Sequence, residues 1–360
     1  MSQHEAKITT SMKISRWLPL LYPLLAILAA FLIGGILIAI AGKSPVTAYR
    51  AMIYSAFGNR NNLGETLVKT VPLLLAGLGT ALSFRAKIFN IGAEGQIFMG
   101  ALGAAIVGLF LGDLPSVIGI PLALFAGFIA GGLWAGIAGF LKVRFSANEI
   151  IITLMMNYIA LEITSYLVSG PWRDPTGTEA FTAHFSEGTI LPIVLPGSRL
   201  HAGILVAVLA VIIVAWVLRN TVYGYQITVV GANDEVARYS GMKTGLLVLL
   251  TMFISGGLAG LAGVSEVAGI HHRVLGSFSP GYGYIAIAIA MLGKSNPISV
   301  AVASFLFAAL VIGVNGMQDL VGVPVSLVFI IEGLVLLFVL GSEVFQQREK
   351  LFRRSIRRST

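Results

Sequence analysis

Long apolar stretches separated by short polar ones dominate the pattern along this chain. A helix that crosses the hydrocarbon core of a bilayer needs about 20 apolar residues. Segments 17–41, 90–112, 115–140, 150–170, 202–218, 245–269, 298–316 and 324–341 meet or approach that length. Two others, 71–84 and 282–293, are shorter. Short apolar segments can be spans or re-entrant pieces. Counting both predicts an all-α, polytopic transmembrane helix bundle of about ten spans, with about eight as the floor.

Composition narrows this picture. Only 11% of the 360 residues are charged, against about 25% in soluble domains. A soluble protein so poor in charge could not cover its surface. The 42 glycines follow no collagen-like period, and in membrane helices glycine lets backbones approach closely. With no cysteine, disulfides, iron–sulfur clusters and cysteine–zinc sites are excluded. The net charge of +8 does not point to nucleic acid, because the basic residues sit in short loops and at the C-terminus. The apolar stretch 17–41 ends in Ala39-Ile40-Ala41, which resembles a signal-peptidase site. At 25 residues it exceeds the roughly 7–15 of a signal core, so an uncleaved first span is expected.

Lys and Arg set the orientation. With ten crossings, seventeen of them fall on the side of the N-terminus and six on the other, and Lys69 lies at a span edge. This predicts a single transmembrane domain over 1–360 in the inner membrane, with both termini cytoplasmic. Residues 1–16 would form a cytoplasmic tail and 342–360 a basic one, able to act as a topology anchor or to bind anionic headgroups.

Two regions outside the spans stand out. Segment 171–200 is a long outer loop with Trp172, Pro175, Pro192 and Pro196, suited either to an external partner or to a passive lid. The inner loop 219–243 contains Asn233-Asp234-Glu235, which reads as a capped helix start. Gly241 and Lys243 read as its stop. A helix of about two turns there either docks on a partner or is an ordinary connection.

Polar residues within spans are functional candidates, because burying them in lipid is costly. Glu94, Glu149, Glu162, Glu266 and Glu332 qualify, though several lie near span ends and can reach water. In the fifth apolar stretch Glu149, Thr153 and Asn157 share one helix face. Glu162 and Ser165 fall roughly opposite, so that span is expected to be central. Ser304, Ala308, Asn315 and Gln318 form a similar stripe. Such stripes line a hydrophilic path or make interhelical hydrogen bonds. Gly127/Gly131, Gly132/Gly136, Gly256/Gly260 and Ala259/Gly263 are spaced for close helix packing. The most unusual stretch is 89–96, FNIGAEGQ, which sets Asn90, Glu94 and Gln96 among glycines at the mouth of a span. An irregular backbone is expected there, tolerated only inside protein or beside water. Asn90, Glu94, Gln96, Asn157, Asn315 and Gln318 are thus candidates for a translocation path.

Enzyme signatures are missing. There is no phosphate-binding P-loop, zinc-protease or nucleophile-elbow motif. His271-His272 lack spaced ligand partners. No catalytic residue, metal or cofactor is therefore expected.

FNIGAEGQ resembles the signature of ABC-importer permeases of the branched-chain amino acid/ribose type, and within them the simple-sugar and nucleoside permeases. Residues 231–242 are similar to that family's coupling loop, G-x-N-x-x-A-A-x-x-x-G, with Val236 in place of the first alanine. The resemblance implies a type II-like ABC importer transmembrane domain working by alternating access. Gly231, Asn233, Asp234, Glu235, Ala237 and Gly241 would couple it to a cytoplasmic ABC ATPase. A second permease, forming a heterodimer in the nucleoside group, and an external solute-binding protein or lipoprotein would complete the importer. The missing P-loop then makes sense, because hydrolysis would belong to another chain. An ion-driven secondary transporter is the alternative, suggested by carboxylates such as Glu94 and Glu162. Its usual matched broken segments are not found under a division into two halves.

Overall fold

The structure is a computed structural model describing Tyr22 and residues 25–112, 114–177 and 179–359, with side-chain surroundings through Ser342. The expectations for the 1–16 tail, for the start of the 17–41 stretch and for the basic side chains of 343–360 lie outside the described residues.

Among the described residues the chain is helical, with only isolated antiparallel bridges elsewhere. Two apolar helices are short, α1 (Leu25–Ile40) and α11 (Tyr282–Leu292). Eight are long and apolar enough to cross a membrane. They are α3 (Arg60–Arg85), α4 (Ala93–Phe110), α5 (Ser116–Phe145), α6 (Glu149–Ser169), α7 (Gly203–Asn220), α10 (Thr244–Glu266) with the π turn Val267–His271, α12 (Pro297–Val321), and α13 (Val325–Ser359) through Ser342. The remaining helices are α2 (Pro45–Phe57), α8 (Val222–Ala232) and α9 (Asp234–Tyr239).

The apolar segment 71–84 is only the second half of α3. Thr66, Lys69 and Thr70 lower the hydropathy of the first half, yet Thr66 and Thr70 are buried. Thr70 returns its hydroxyl to the carbonyl of Thr66 at 2.7 Å, so its polarity is met within its own helix. Apolar length therefore understated this helix. Neither α2 nor α8 has an apolar run long enough to announce itself.

The contacts form two units. In the unit of residues 57–309, α3, α4 and α10 are largely buried, while α5, α6 and α7 expose most of their surface. Glycines set the spacing at its centre. A Cβ on Gly256 would lie 2.4 Å from the carbonyl oxygen of Gly131, and one on Gly260 2.3 Å from that of Gly127. Gly100 faces Gly260 and Gly263 faces the carbonyl of Ile97 just as closely. The small-residue spacing on α5 and α10 thus marks one real backbone-to-backbone crossing. Gly136 has nothing nearer than 4.0 Å and takes no part. The fifth apolar stretch, α6, is not central within this unit. It packs one face on α4 and leaves the other open.

Segment 171–202 is fastened down. Thr182 N donates to Val274 O at 3.2 Å, Phe185 N to His272 O at 2.8 Å, Leu191 N to Ala268 O at 2.9 Å and Ser186 N to Gly108 O at 3.0 Å. Arg273 sits 4.2 Å from the Phe181 ring centroid. In the unit of residues 1–56 and 310–360, the Tyr49 hydroxyl donates to Phe31 O. Gly313 and Gly316 admit Met52 and Ser55 of α2 against α12.

Candidate functional site

FNIGAEGQ forms the turn from α3 into α4 and is sewn into its surroundings. Asn90 is fully buried. Its Nδ2 donates to Gln96 Oε1 (3.1 Å) and Ser255 Oγ (3.0 Å). Its Oδ1 accepts from Gly92 N (3.0 Å) and Gln96 Nε2 (2.9 Å). Asn157 of α6 clasps the same turn from outside: its Oδ1 accepts from Gly95 N at 2.8 Å and its Nδ2 donates to Ile91 O at 2.9 Å. Thr153 Oγ1 accepts from Ile91 N at 3.2 Å. These side chains satisfy N–H groups at the start of α4 that a helix leaves without intrahelical partners. Glu94, also buried, accepts from Gly283 N at 2.7 Å near the start of α11. A carboxylate suits the positive end of that helix dipole.

The glycines serve close approach rather than unusual dihedrals. Gly92 has φ −81° and Gly95 lies inside α4. A Cβ on Gly95 would meet Asn157 Cα at 2.9 Å, and one on Gly283 would meet Glu94 N at 2.1 Å. Of the path candidates, Asn90, Glu94, Gln96 and Asn157 are therefore brought together in one amide-rich hub joining α4, α6, α10 and α11. Asn315 is exposed and Gln318 half-buried on α12, in the other unit.

The 233–241 region has the geometry its sequence suggests. Asn233 Oδ1 accepts from Glu235 N (2.9 Å) and Val236 N (3.3 Å). Asp234 pairs with Arg238 one turn on, at 2.8 Å. Gly241 takes the left-handed φ of +77°, with Met242 N donating back to Ala237 O at 3.1 Å, a glycine stop. α9 rests on Ala237, fully buried against Val230 and Leu247. Every other residue of α9 is exposed, Tyr239 at 93%. Gly231 presses α8 onto the end of α3, where a Cβ would lie 2.0 Å from Arg85 O. Arg85 Nε donates to Thr228 Oγ1 at 3.0 Å, and Lys87 Nζ to Ala232 O at 3.4 Å. A cavity of about 330 Å³ opens beside α9, lined among others by Lys87, Lys142, Ser146, Asn233, Asp234 and Arg238.

A third polar group lies near the 171–202 end. Glu266, wholly buried, takes Lys69 Nζ at 3.4 Å and His271 Nε2 at 3.5 Å. Lys69 also stands 5.2 Å from the Tyr282 ring centroid. His201, just ahead of α7, is fully buried; its Nδ1 accepts from Gly203 N at 3.1 Å, and its Nε2 has no partner among the described residues. Burial holds its pKa down at about 4, so the ring is neutral near pH 7. Glu266 was visible in the sequence as a carboxylate within a span, and Lys69 only as a charge at a span edge. Their pairing was not, because 197 positions separate them. Among the described residues, no three His, Cys, Asp or Glu side chains are grouped to hold a metal ion.

Comparison with known proteins completes the case. Residues 62–340 match the family described as branched-chain amino acid transport system / permease component. The chain is 38% identical to the glucose ABC transporter permease protein TsgB13 of Haloferax volcanii, over 95% of this chain and 93% of that one. It is 38% identical to the guanosine ABC transporter permease protein NupP of Bacillus subtilis, over 90% and 93%. Identity to the nucleoside ABC transporter permease protein NupB of Lactococcus lactis is 30%, over 89% and 90%. No solved structure matches the chain significantly. With apolar helices throughout, a hub built from FNIGAEGQ, and matches running nearly end to end, this multi-pass membrane chain belongs to the permease components of ABC transporters of the branched-chain amino acid type.

Proposed function

We propose that this chain is a permease subunit that imports nucleosides, or else simple sugars, by alternating access, driven by an ABC ATPase docked on α9. The names of its relatives, permeases for glucose, guanosine and nucleosides, support that substrate range. The observation that carries the mechanism is α9 itself. It is a short, doubly capped helix whose outward residues are exposed and whose one buried foot, Ala237, stands on α8 and α10. Force on α9 passes through Gly231 to the end of α3, and along that turn into the Asn90 hub. Gly231, Asn233, Asp234, Glu235, Ala237 and Gly241 are assigned to this coupling.

The surrounding assembly follows from the same reading. A second, non-identical permease completes the path, and an external solute-binding protein or lipoprotein delivers the solute over the 171–202 side. α9 and both termini face the cytoplasm in the inner membrane, in keeping with the distribution of Lys and Arg. Asn90, Glu94, Gln96 and Asn157 stand behind the path and hold its wall, because their polar atoms are already engaged. Asn315 and Gln318 remain candidates to face it directly.

The test is uptake of labelled guanosine, and separately of glucose, by the full transporter in proteoliposomes containing ATP. Replacing Asn233 and Asp234 by alanine is expected to leave ATP hydrolysis but sharply reduce uptake. Normal uptake after deletion of 231–242 would end this reading. So would uptake driven by a proton gradient without ATP, the behaviour of a secondary transporter.

A further inference from the structure

α6 is polar on two faces, and the two have different fates. Thr153, Asn157 and Thr164 are buried, and Thr153 and Asn157 serve the hub. Tyr158, Glu162, Ser165 and Tyr166 lie on the other, exposed face, Tyr158 at 58% and Tyr166 at 70%, and share it with Ile151, Met155 and Ile159, so that its second half is the polar part. Glu162 makes no hydrogen bond or ion pair with any described residue. Spacings of three and four place these residues on one side of the helix. Tyr284 of α11 extends the patch: it is 41% exposed, and Asn157 Nδ2 reaches its hydroxyl at 3.5 Å, the outer limit of a hydrogen bond.

α7 shows what a lipid-facing span of this chain looks like. Between 205 and 216 its exposed side chains are Leu205, Val208, Leu209, Ile212, Ile213 and Trp216, none carrying a charge; Arg219 is exposed only in its last turn. The Glu162 carboxylate, two turns in from the end of α6, cannot stand against hydrocarbon in the same way, because nothing there hydrates it. Nor is this face suited to a dry contact with another chain, where an unpaired Glu162 would be buried without a counter-charge.

We propose that the Tyr158–Glu162–Ser165–Tyr166 face of α6, with Tyr284, is the solute-contacting wall of the transport path. Its chemistry selects neutral, ring-shaped solutes that carry adjacent hydroxyls. A carboxylate only accepts hydrogen bonds and has room for two donors, which a vicinal diol supplies. Aromatic faces accept a flat base or the apolar side of a sugar ring. A phosphorylated solute brings like charge to Glu162 and is turned away. This inference rests on the permease reading and adds the residues that touch the cargo.

The absence of native cysteine from this chain permits a direct test in the full transporter, with labelling read on this subunit after the subunits are separated. Single Glu162→Cys, Ser165→Cys and, as control, Leu209→Cys variants are exposed in proteoliposomes to a charged, water-soluble thiol reagent. Positions 162 and 165 are expected to react at least about ten-fold faster than 209, because the reactive thiolate needs water. Guanosine or glucose, whichever the unmodified transporter takes up, should slow that reaction several-fold. If Glu162→Cys does not assemble, the near-isosteric Ser165→Cys carries the test alone. Reaction at the rate of the control, meaning lipid or a sealed protein contact, would overturn the proposal; so would fast reaction without solute protection. Uptake is measured alongside. ATP-dependent uptake with an unreactive α6 face refutes only this inference, whereas uptake that ignores ATP refutes the permease reading beneath it.

Discussion

The two buried polar clusters of the 57–309 unit solve one problem in opposite ways. The hub around Asn90 is built mostly of neutral amides and hydroxyls, and its donors and acceptors interlock. The cluster around Glu266 joins it to Lys69 and His271 at longer distances of 3.4 to 3.5 Å, beside a histidine whose Nε2 has no partner among the described residues. Neutral amides lose little on burial when every group finds a partner. Charges lose much more, and keep their value only while the partner remains. The amides around Asn90 should therefore be rigid and indifferent to pH, and the charged cluster conditional.

The largest effect tests the charged cluster. Glu266→Leu leaves Lys69 without its counter-charge and should lower stability by about 3–5 kcal/mol. The double variant Lys69→Met/Glu266→Leu should recover most of that loss, since an apolar pair is often as stable as a buried ionic one. Thermal melting of the detergent-purified protein reads both. A double variant no better than the single would show that the cluster does more than balance charge.

Acid should separate the two clusters further. The folded-state pKa of His201 lies below its ordinary value of 6.5, at about 4. Its contribution is therefore intact above pH 6.5 and is lost as pH falls towards 4, by up to about 3 kcal/mol in full. Lys69, Glu266 and His272 surround it electrostatically. The melting midpoint should fall over this window, and fall less in His201→Phe. An unchanged acid slope in that variant would remove His201 from the account.

The hub gives smaller, pH-flat losses. Asn90→Ala strips partners from Gln96, Ser255 and Gly92 N and should cost about 2 kcal/mol. Thr153→Val, which removes one bond to Ile91 N, should cost about 1 kcal/mol. If melting of either variant depended on pH more steeply than the parent, the contrast between the clusters would be broken.

The hub also shows how far the sequence could be read. FNIGAEGQ is conspicuous because it puts Asn, Glu and Gln among glycines where a span begins. That their polar atoms bond one another, and residues 157, 255 and 283, is not written locally. The α9 helix was legible because Asn233, Asp234, Ala237 and Gly241 act within nine positions of one another. On α6 the two polar faces follow from periodicity, but which of them is buried depends on where α4 lies. The first half of α3 was hidden because Thr66, Lys69 and Thr70 look polar until their partners are known.

The sequence by itself determined that the chain is a membrane helix bundle, which glycines could meet at helix crossings, and where a capped helix interrupts the spans. Those are matters of transfer from water, residue size and hydrogen bonds within a turn or two. Tertiary structure alone decided that Glu266 meets Lys69, that the hub's amides are satisfied, and that Glu162 is left open. Each depends on residues far apart in the chain, and the worth of a polar group in a low-dielectric interior is set by the neighbour that packing brings to it.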